Sequence, residues 1–211
     1  MNQAVNFVRI AAFATSLLLT LTTIAQYKQQ VADFDVTNVS KATFLNPGLS
    51  YEGRIGRNQT LFGHAYMSVS ASYSYSTSFG SNAYFWMDPA LTAQYRYYYN
   101  GSKRQSQGKR TAFNSVNYIA PIYKILFSKG AITDRAFTEE NRRVVTTIGF
   151  AWGMQRNYRK RFSLDLNLGF GYFFGKSTEL NDMGELITTN KGRPTLIVDI
   201  NLGFWLNRRE K

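Results

Sequence analysis

Hydrolytic chemistry needs a nucleophilic hydroxyl or thiol, a base and an orienting group within hydrogen-bond reach of one another. This chain has no cysteine and one histidine. His64 is therefore the single imidazole base, and Ser68, Ser70 and Asp165 are the groups that could gather around it. His64-Ala65-Tyr66 carries no His-x-Ser motif, and His64 is expected only a few residues from a turn at 56–59. No catalytic residue is assigned, and the chain is expected not to be an enzyme. A lone histidine without thiolates offers no metal-ligand pattern. No cofactor signature stands out either: Gly108-Lys109-Arg110 lacks the Ser or Thr, and the following helix, of a phosphate-binding loop. Asn58-Gln59-Thr60 matches a glycosylation sequon by chance spacing.

A larger set of ionisable groups falls on the polar faces of alternating segments: Glu52, Arg54, His64, Arg96, Lys124, Asp165 and Asp199. Excluding His64, these are three acids and three permanent bases. An unpaired charge in a narrow interior is costly, so they are expected to form a neutral, mutually paired lumen network with a structural role.

The elements that must position these groups alternate with period two. Phe162, Leu164, Leu166, Leu168, Phe170, Tyr172 and Phe174 share one face, against Ser163, Asp165, Asn167, Gly169, Gly171, Phe173 and Gly175. On a helix the apolar set would scatter around the cylinder, so a strand is the consistent reading. Segments 61–76, 144–154 and 196–206 carry the same code. Strands are also expected over about 43–54, 85–99 and 117–127, the last with a bulge or a strand start at Pro121. Seven strands imply an eighth, because barrels with both ends on one side have an even number. Residues Ala32–Val39 are the candidate. From Gln26 onward, eight strands receive about 23 residues each with their connections, whereas sixteen would leave too few.

The apolar faces are the longer and richer ones, and the other face is Ser, Gly, Asn and charge. A soluble ligand-carrying barrel would place these the other way round. The expected fold is therefore all-β: an eight-stranded antiparallel transmembrane up-and-down β-barrel with its apolar face to lipid. Tyr84, Trp86, Tyr97, Tyr99, Trp152, Tyr158 and Trp205 are expected in aromatic girdles at its two interfaces. An aromatic content of 16% disfavours disorder.

Ahead of the barrel, Arg9 precedes an apolar run from Ile10 to Leu21, and Thr23-Ile24-Ala25 sets small residues where a signal peptidase reads. The run makes about 18 Å of helix, short of a bilayer core. Residues 1–25 are thus expected to be a cleavable signal helix, and 26–211 the barrel domain in the outer membrane of a diderm bacterium.

The formal charge of +12 then concentrates on one side. Lys103, Arg104, Lys109 and Arg110 fall in the inner connection 100–116, and Arg156, Arg159, Lys160 and Arg161 around the inner turn 157–161. Lipid headgroups suit such a rim better than nucleic acid, which an exported protein would not meet. Segments 129–142 and 176–193 are expected as outer loops open to a surface ligand.

Asn46-Pro47-Gly48-Leu49-Ser50-Tyr51-Glu52-Gly53-Arg54-Ile55-Gly56, Arg96-Tyr97-Tyr98-Tyr99-Asn100, Gly108-Lys109-Arg110-Thr111 and Asn117-Tyr118 carry a resemblance over residues 42–206. The chain resembles small OmpA/OmpX-type eight-stranded barrels, and more specifically uncharacterised outer-membrane β-barrel proteins of Bacteroidetes. The resemblance implies the outer membrane as location, outer-membrane lipid and the barrel-assembly machinery as partners, and no particular activity. One departure is that Trp205 is followed by Leu206-Asn207-Arg208-Arg209-Glu210-Lys211, where such barrels usually end on an aromatic residue. The alternatives are an enzyme or narrow channel on the same barrel, and a secreted soluble lipocalin-like barrel.

Overall fold

The computed structural model describes residues 34–76, 80–130, 138–181, 183 and 185–207. The signal assigned to 1–25 lies outside them. Eight strands follow in chain order: β1 (Val39–Thr43), β2 (Gly48–Gly56), β3 (Gln59–Ser76), β4 (Gly80–Tyr98), β5 (Asn117–Gly130), β6 (Thr138–Asn157), β7 (Phe162–Leu180) and β8 (Leu186–Trp205). Each pairs antiparallel with its neighbours in sequence, and β1 closes on β8 through Lys41↔Trp205, Ala42↔Phe204 and Thr43↔Gly203. The chain is an eight-stranded up-and-down β-barrel. At the seam, Gly203 lies so close to β1 that a Cβ there would sit 2.2 Å from the Ala42 carbonyl oxygen.

Four boundaries differ from the sequence reading. The first strand is Val39–Thr43, not Ala32–Val39. Residues 34–38 instead run across the barrel mouth, with Phe34 and Val36 buried. The expected strand at 43–54 absorbed a turn, because Asn46-Pro47-Gly48 breaks the chain between β1 and β2. Pro121 sits inside β5 with no register shift. The β4–β5 ladder keeps its register while skipping Tyr95 and Arg96, which removes the need for a proline N–H there. The expected outer loops are largely strand: residues 138–142, 176–180 and 186–193 belong to β6, β7 and β8, and the β7–β8 ladder runs out to Leu180↔Leu186. Polar residues occupy both faces there, so alternation no longer reveals the pairing.

The mouth where residues 34 and 207 lie, the near mouth, carries the β2–β3 and β6–β7 turns and the connection 99–116. That connection forms a short helix α1 (Gly101–Ser106) and one 3-10 turn (Ala112–Asn114). It then folds into the opening, burying Asn114, Ser115 and Val116. Phe34 and Val36 join Tyr98, Val116, Tyr118, Ala120 and Ile122 in the apolar part of the interior.

Toward the near mouth the strands alternate between a buried and an open face. In β4, Thr92, Gln94, Arg96 and Tyr98 are buried, while Leu91, Tyr95 and Tyr97 are exposed. Phe85, Phe150 and Phe170 are 76%, 68% and 73% exposed, and Leu49 and Leu196 are close behind. No second layer covers these rows among the described residues.

Candidate functional site

Parity carries Lys41 of β1, Glu52 of β2, Arg96 of β4 and Asp165 of β7 into the same level of the lumen near the mouth. All four side chains are essentially without solvent. The Arg96 guanidinium lies 2.9 Å from Asp165 Oδ2 and 3.7 Å from Glu52 Oε2. It also donates to Gln94 Oε1 and Gln155 Oε1, each at 2.7 Å. Its flat faces are covered by Phe62, 3.6 Å from the guanidinium carbon to the ring centre, and by Tyr118 at 4.3 Å. Arginine suits this position because its planar fork serves several acceptors while its faces stack on rings.

Neutral donors reach both carboxylates as well, Glu52 on both oxygens and Asp165 on Oδ1. Glu52 Oε1 accepts from Thr60 Oγ1 and Asn114 Nδ2, each at 2.8 Å, and from the Tyr98 hydroxyl; Oε2 accepts from Gln155 Nε2 at 3.1 Å. Asp165 Oδ1 accepts from the Tyr118 hydroxyl at 2.6 Å. Lys41 Nζ stands 3.5 Å from Asp165 Oδ2 and has no hydrogen-bond partner among the described residues. Two cations and two anions so packed cancel, which is the condition for keeping charge in a dry interior.

Two features seat this layer. Gly153 faces Tyr118 across the β5–β6 ladder, and a Cβ there would fall 2.1 Å from the Tyr118 ring. Phe113 and Asn114 have φ of 54° and 59°, the left-handed region that side chains rarely adopt. That bend turns Asn114 inward, where its side chain bonds both the N–H and the carbonyl of Thr37 besides Glu52. The connection 99–116 is thereby tied to the segment before β1.

Farther from the mouth, Lys124 Nζ meets Asp199 Oδ1 at 2.6 Å, with about a fifth of each side chain exposed. His64 is buried, 3.1 Å from Thr43 Oγ1 and stacked on Tyr66 at 4.3 Å between ring centres. It shares a small enclosed cavity with Lys41, Ser50, Ser163, Asp165 and Asn201. Of the hydroxyls expected near it, Ser68 lies opposite Asp88 on the β3–β4 ladder, and the Ser70 side chain is outside the described set.

Of the seven residues expected in the lumen, six lie there: Glu52, Arg96 and Asp165 in one layer, His64 beside it, Lys124 and Asp199 beyond. Arg54 does not. It is half exposed near the end of β2, beyond the last β1–β2 pair at Val39↔Glu52, and paired with Asp35 at 2.6 Å. Its parity matches Glu52, but the ladder shifts between Arg54 and Gly56 and the wall ends there. Lys41, which fell between two expected strands, takes its place in the balance. Tyr98 and Tyr118 share parity with the named lumen residues Arg96 and Lys124 on their own strands, and Gln155 continues the parity of Thr147, Gly149, Ala151 and Gly153, a signal that was readable; Asn114, in a connection, gave none.

Trp205 also departs from the girdle assignment. It is buried at the mouth, stacked on Phe113 at 4.3 Å, with its indole N–H donating to the Tyr158 carbonyl. Tyr97, Tyr99, Trp152 and Tyr158 do point outward, and the Trp152 indole donates to the Tyr99 hydroxyl at 2.7 Å. The side chains of Tyr84 and Trp86 lie outside the described set. Compared with known proteins, the chain matches no family model, no curated protein and no solved structure.

Proposed function

We propose that residues 26–211 are an integral outer-membrane β-barrel, exported on the signal at 1–25, with a structural, surface-interaction or adhesion-like role and a filled lumen. The observation that carries this is the inverted distribution of polarity. Charged and amide side chains fill the inside, while Leu, Phe and Tyr cover the outside of the wall. Each large apolar side chain left in water forfeits roughly 1.5–3 kcal/mol of burial, and the outward rows hold many of them. A domain stable by only about 5–15 kcal/mol does not carry that loss in water. In hydrocarbon the same rows are at home, and a closed ring leaves no strand edge unpaired around its lower wall.

The role follows from what the lumen offers. The layer of Lys41, Glu52, Arg96 and Asp165, backed by Tyr98, Tyr118 and the inserted 112–116 segment, fills the cross-section near the mouth. An eight-stranded interior is just wide enough to be closed by side chains. A plug of this kind supports a rigid scaffold that presents its far-end hairpins, rather than a pore. The test is fractionation: the chain should require detergent and should migrate faster unheated than boiled on a gel. Recovery of a folded, monodisperse chain from buffer without detergent would overturn the reading. Conductance in planar bilayers should stay at baseline; discrete open steps would mean the plug does not hold.

A further inference from the structure

The near mouth is strongly basic, and two of its arginines are rooted in one corner, where α1 meets the ends of β5 and β6. Arg156, at the end of β6, faces outward on the wall. One amino group donates to the Gln155 carbonyl and the other to Asn117 Oδ1 at 2.7 Å. On α1 the Arg104 N–H donates to the Asn100 carbonyl, and Asn100 Oδ1 accepts from the N–H of Asn117, the residue that holds Arg156, so Arg104 is rooted one helical turn from that contact and the two charges repel. Arg104 donates to the Arg110 carbonyl at 3.3 Å, while its Nε–H is buried without a partner among the described residues. Neither arginine has a carboxylate within ion-pair distance among the described residues, and Asp35, an exposed acid at this mouth, is held by Arg54.

Two like charges in one corner with only neutral acceptors around them lack an anion. The surroundings specify which kind. Tyr99, Trp152 and Tyr158 are exposed on the outer wall beside the pair, and the apolar rows of Ile119, Phe150 and Leu168 begin just beyond. A ligand at this place meets cations at one end, amphipathic rings in the middle and hydrocarbon-like surface beyond. That order matches a phospholipid standing against the wall, its phosphate between the arginines.

We propose that Arg104 and Arg156 form a binding site for the phosphate of an anionic membrane phospholipid, with Tyr99, Trp152 and Tyr158 as the shelf for its glycerol region. The site rests on the membrane reading above. It gives the barrel a fixed neighbour in the leaflet at its near mouth, and a preference for anionic over zwitterionic lipid.

The test uses the full barrel in phosphatidylcholine vesicles doped with brominated phosphatidylglycerol or brominated phosphatidylcholine. Bromine quenches nearby indoles, and the Trp152 contribution is the difference between the native chain and W152F. Brominated phosphatidylglycerol should quench Trp152 at a lower mole fraction than its zwitterionic counterpart. That preference should fall about fivefold in R104Q or in R156Q, the effect of one basic group near an anionic surface. It should return in R104K/R156K, and change less than about twofold in R159Q/K160Q, which removes two charges, one more than either single variant, from the adjacent turn. Heat-modifiable migration checks that each variant is folded. Equal quenching by both lipids in the native chain, or an equal loss in R159Q/K160Q, would overturn the site while leaving the membrane reading standing. Relief of the quenching by a short DNA duplex would assign the arginines to nucleic acid and overturn the lipid assignment. A chain that does not insert into phosphatidylcholine vesicles fails the membrane reading itself.

Discussion

Near the mouth, Arg96 has no solvent and is shared among Gln94, Gln155, Glu52 and Asp165 between two aromatic rings, whereas Lys124, farther along the same lumen, has Asp199 and partial access to water. Both arrangements are neutral. They differ in what remains when one member is lost. Removing a charge from the dry layer strands its opposite in a place water cannot reach, while the outer pair can be hydrated in compensation. The same strands can thus hold a rigid lock at one level and a forgiving contact at the next.

The comparison is broken most directly by R96A. It leaves Glu52 and Asp165 facing one another with Lys41 as the remaining cation, and should cost about 3–5 kcal/mol, read as a fall in the denaturant midpoint of the folded barrel. Next in size is F170R on the outer wall. If hydrocarbon covers that face, an arginine there should cost roughly 2–4 kcal/mol in lipid vesicles. No change in vesicles would argue against lipid contact. G153A presses a methyl group into the Tyr118 ring and should cost about 1–3 kcal/mol by moving the ring off Asp165, seen as a lowered unfolding midpoint.

K124A sharpens the contrast from the other side: with its partner reachable by water, the loss should be about 1 kcal/mol or less in the same denaturant series. A loss equal to that of R96A would mean both levels are equally dry. The smallest effect is expected for R54A. Its pair with Asp35 is exposed at the rim, and thermal migration shifts should place the change within about 0.5 kcal/mol.

The parts legible in the sequence were those tied to a repeating geometry. The rows from Phe162 to Phe174 and from Leu196 to Phe204 announced strands and their faces, and parity alone sent Glu52, Arg96 and Asp165 inward. Where both faces are polar, as in 176–193, the period vanishes and the sequence does not distinguish strand from loop. Arg54 shows the limit of parity, which gives direction without saying where the wall stops. Lys41 shows the cost of a misplaced turn: joining Thr43 to the next strand leaves Lys41, two residues earlier, without a face.

Alternation by itself determined a sheet with an apolar and a polar side, and length with even strand number determined that eight strands close it, because side-chain direction in a strand depends only on position along the chain. Which charges meet was decided by the tertiary structure. Lys41, Glu52, Arg96 and Asp165 come from four strands, and Asn114 reaches them from a connection whose two left-handed residues turn it inward. Those meetings depend on the stagger between strands and on how a loop folds back, quantities that a one-dimensional pattern does not contain.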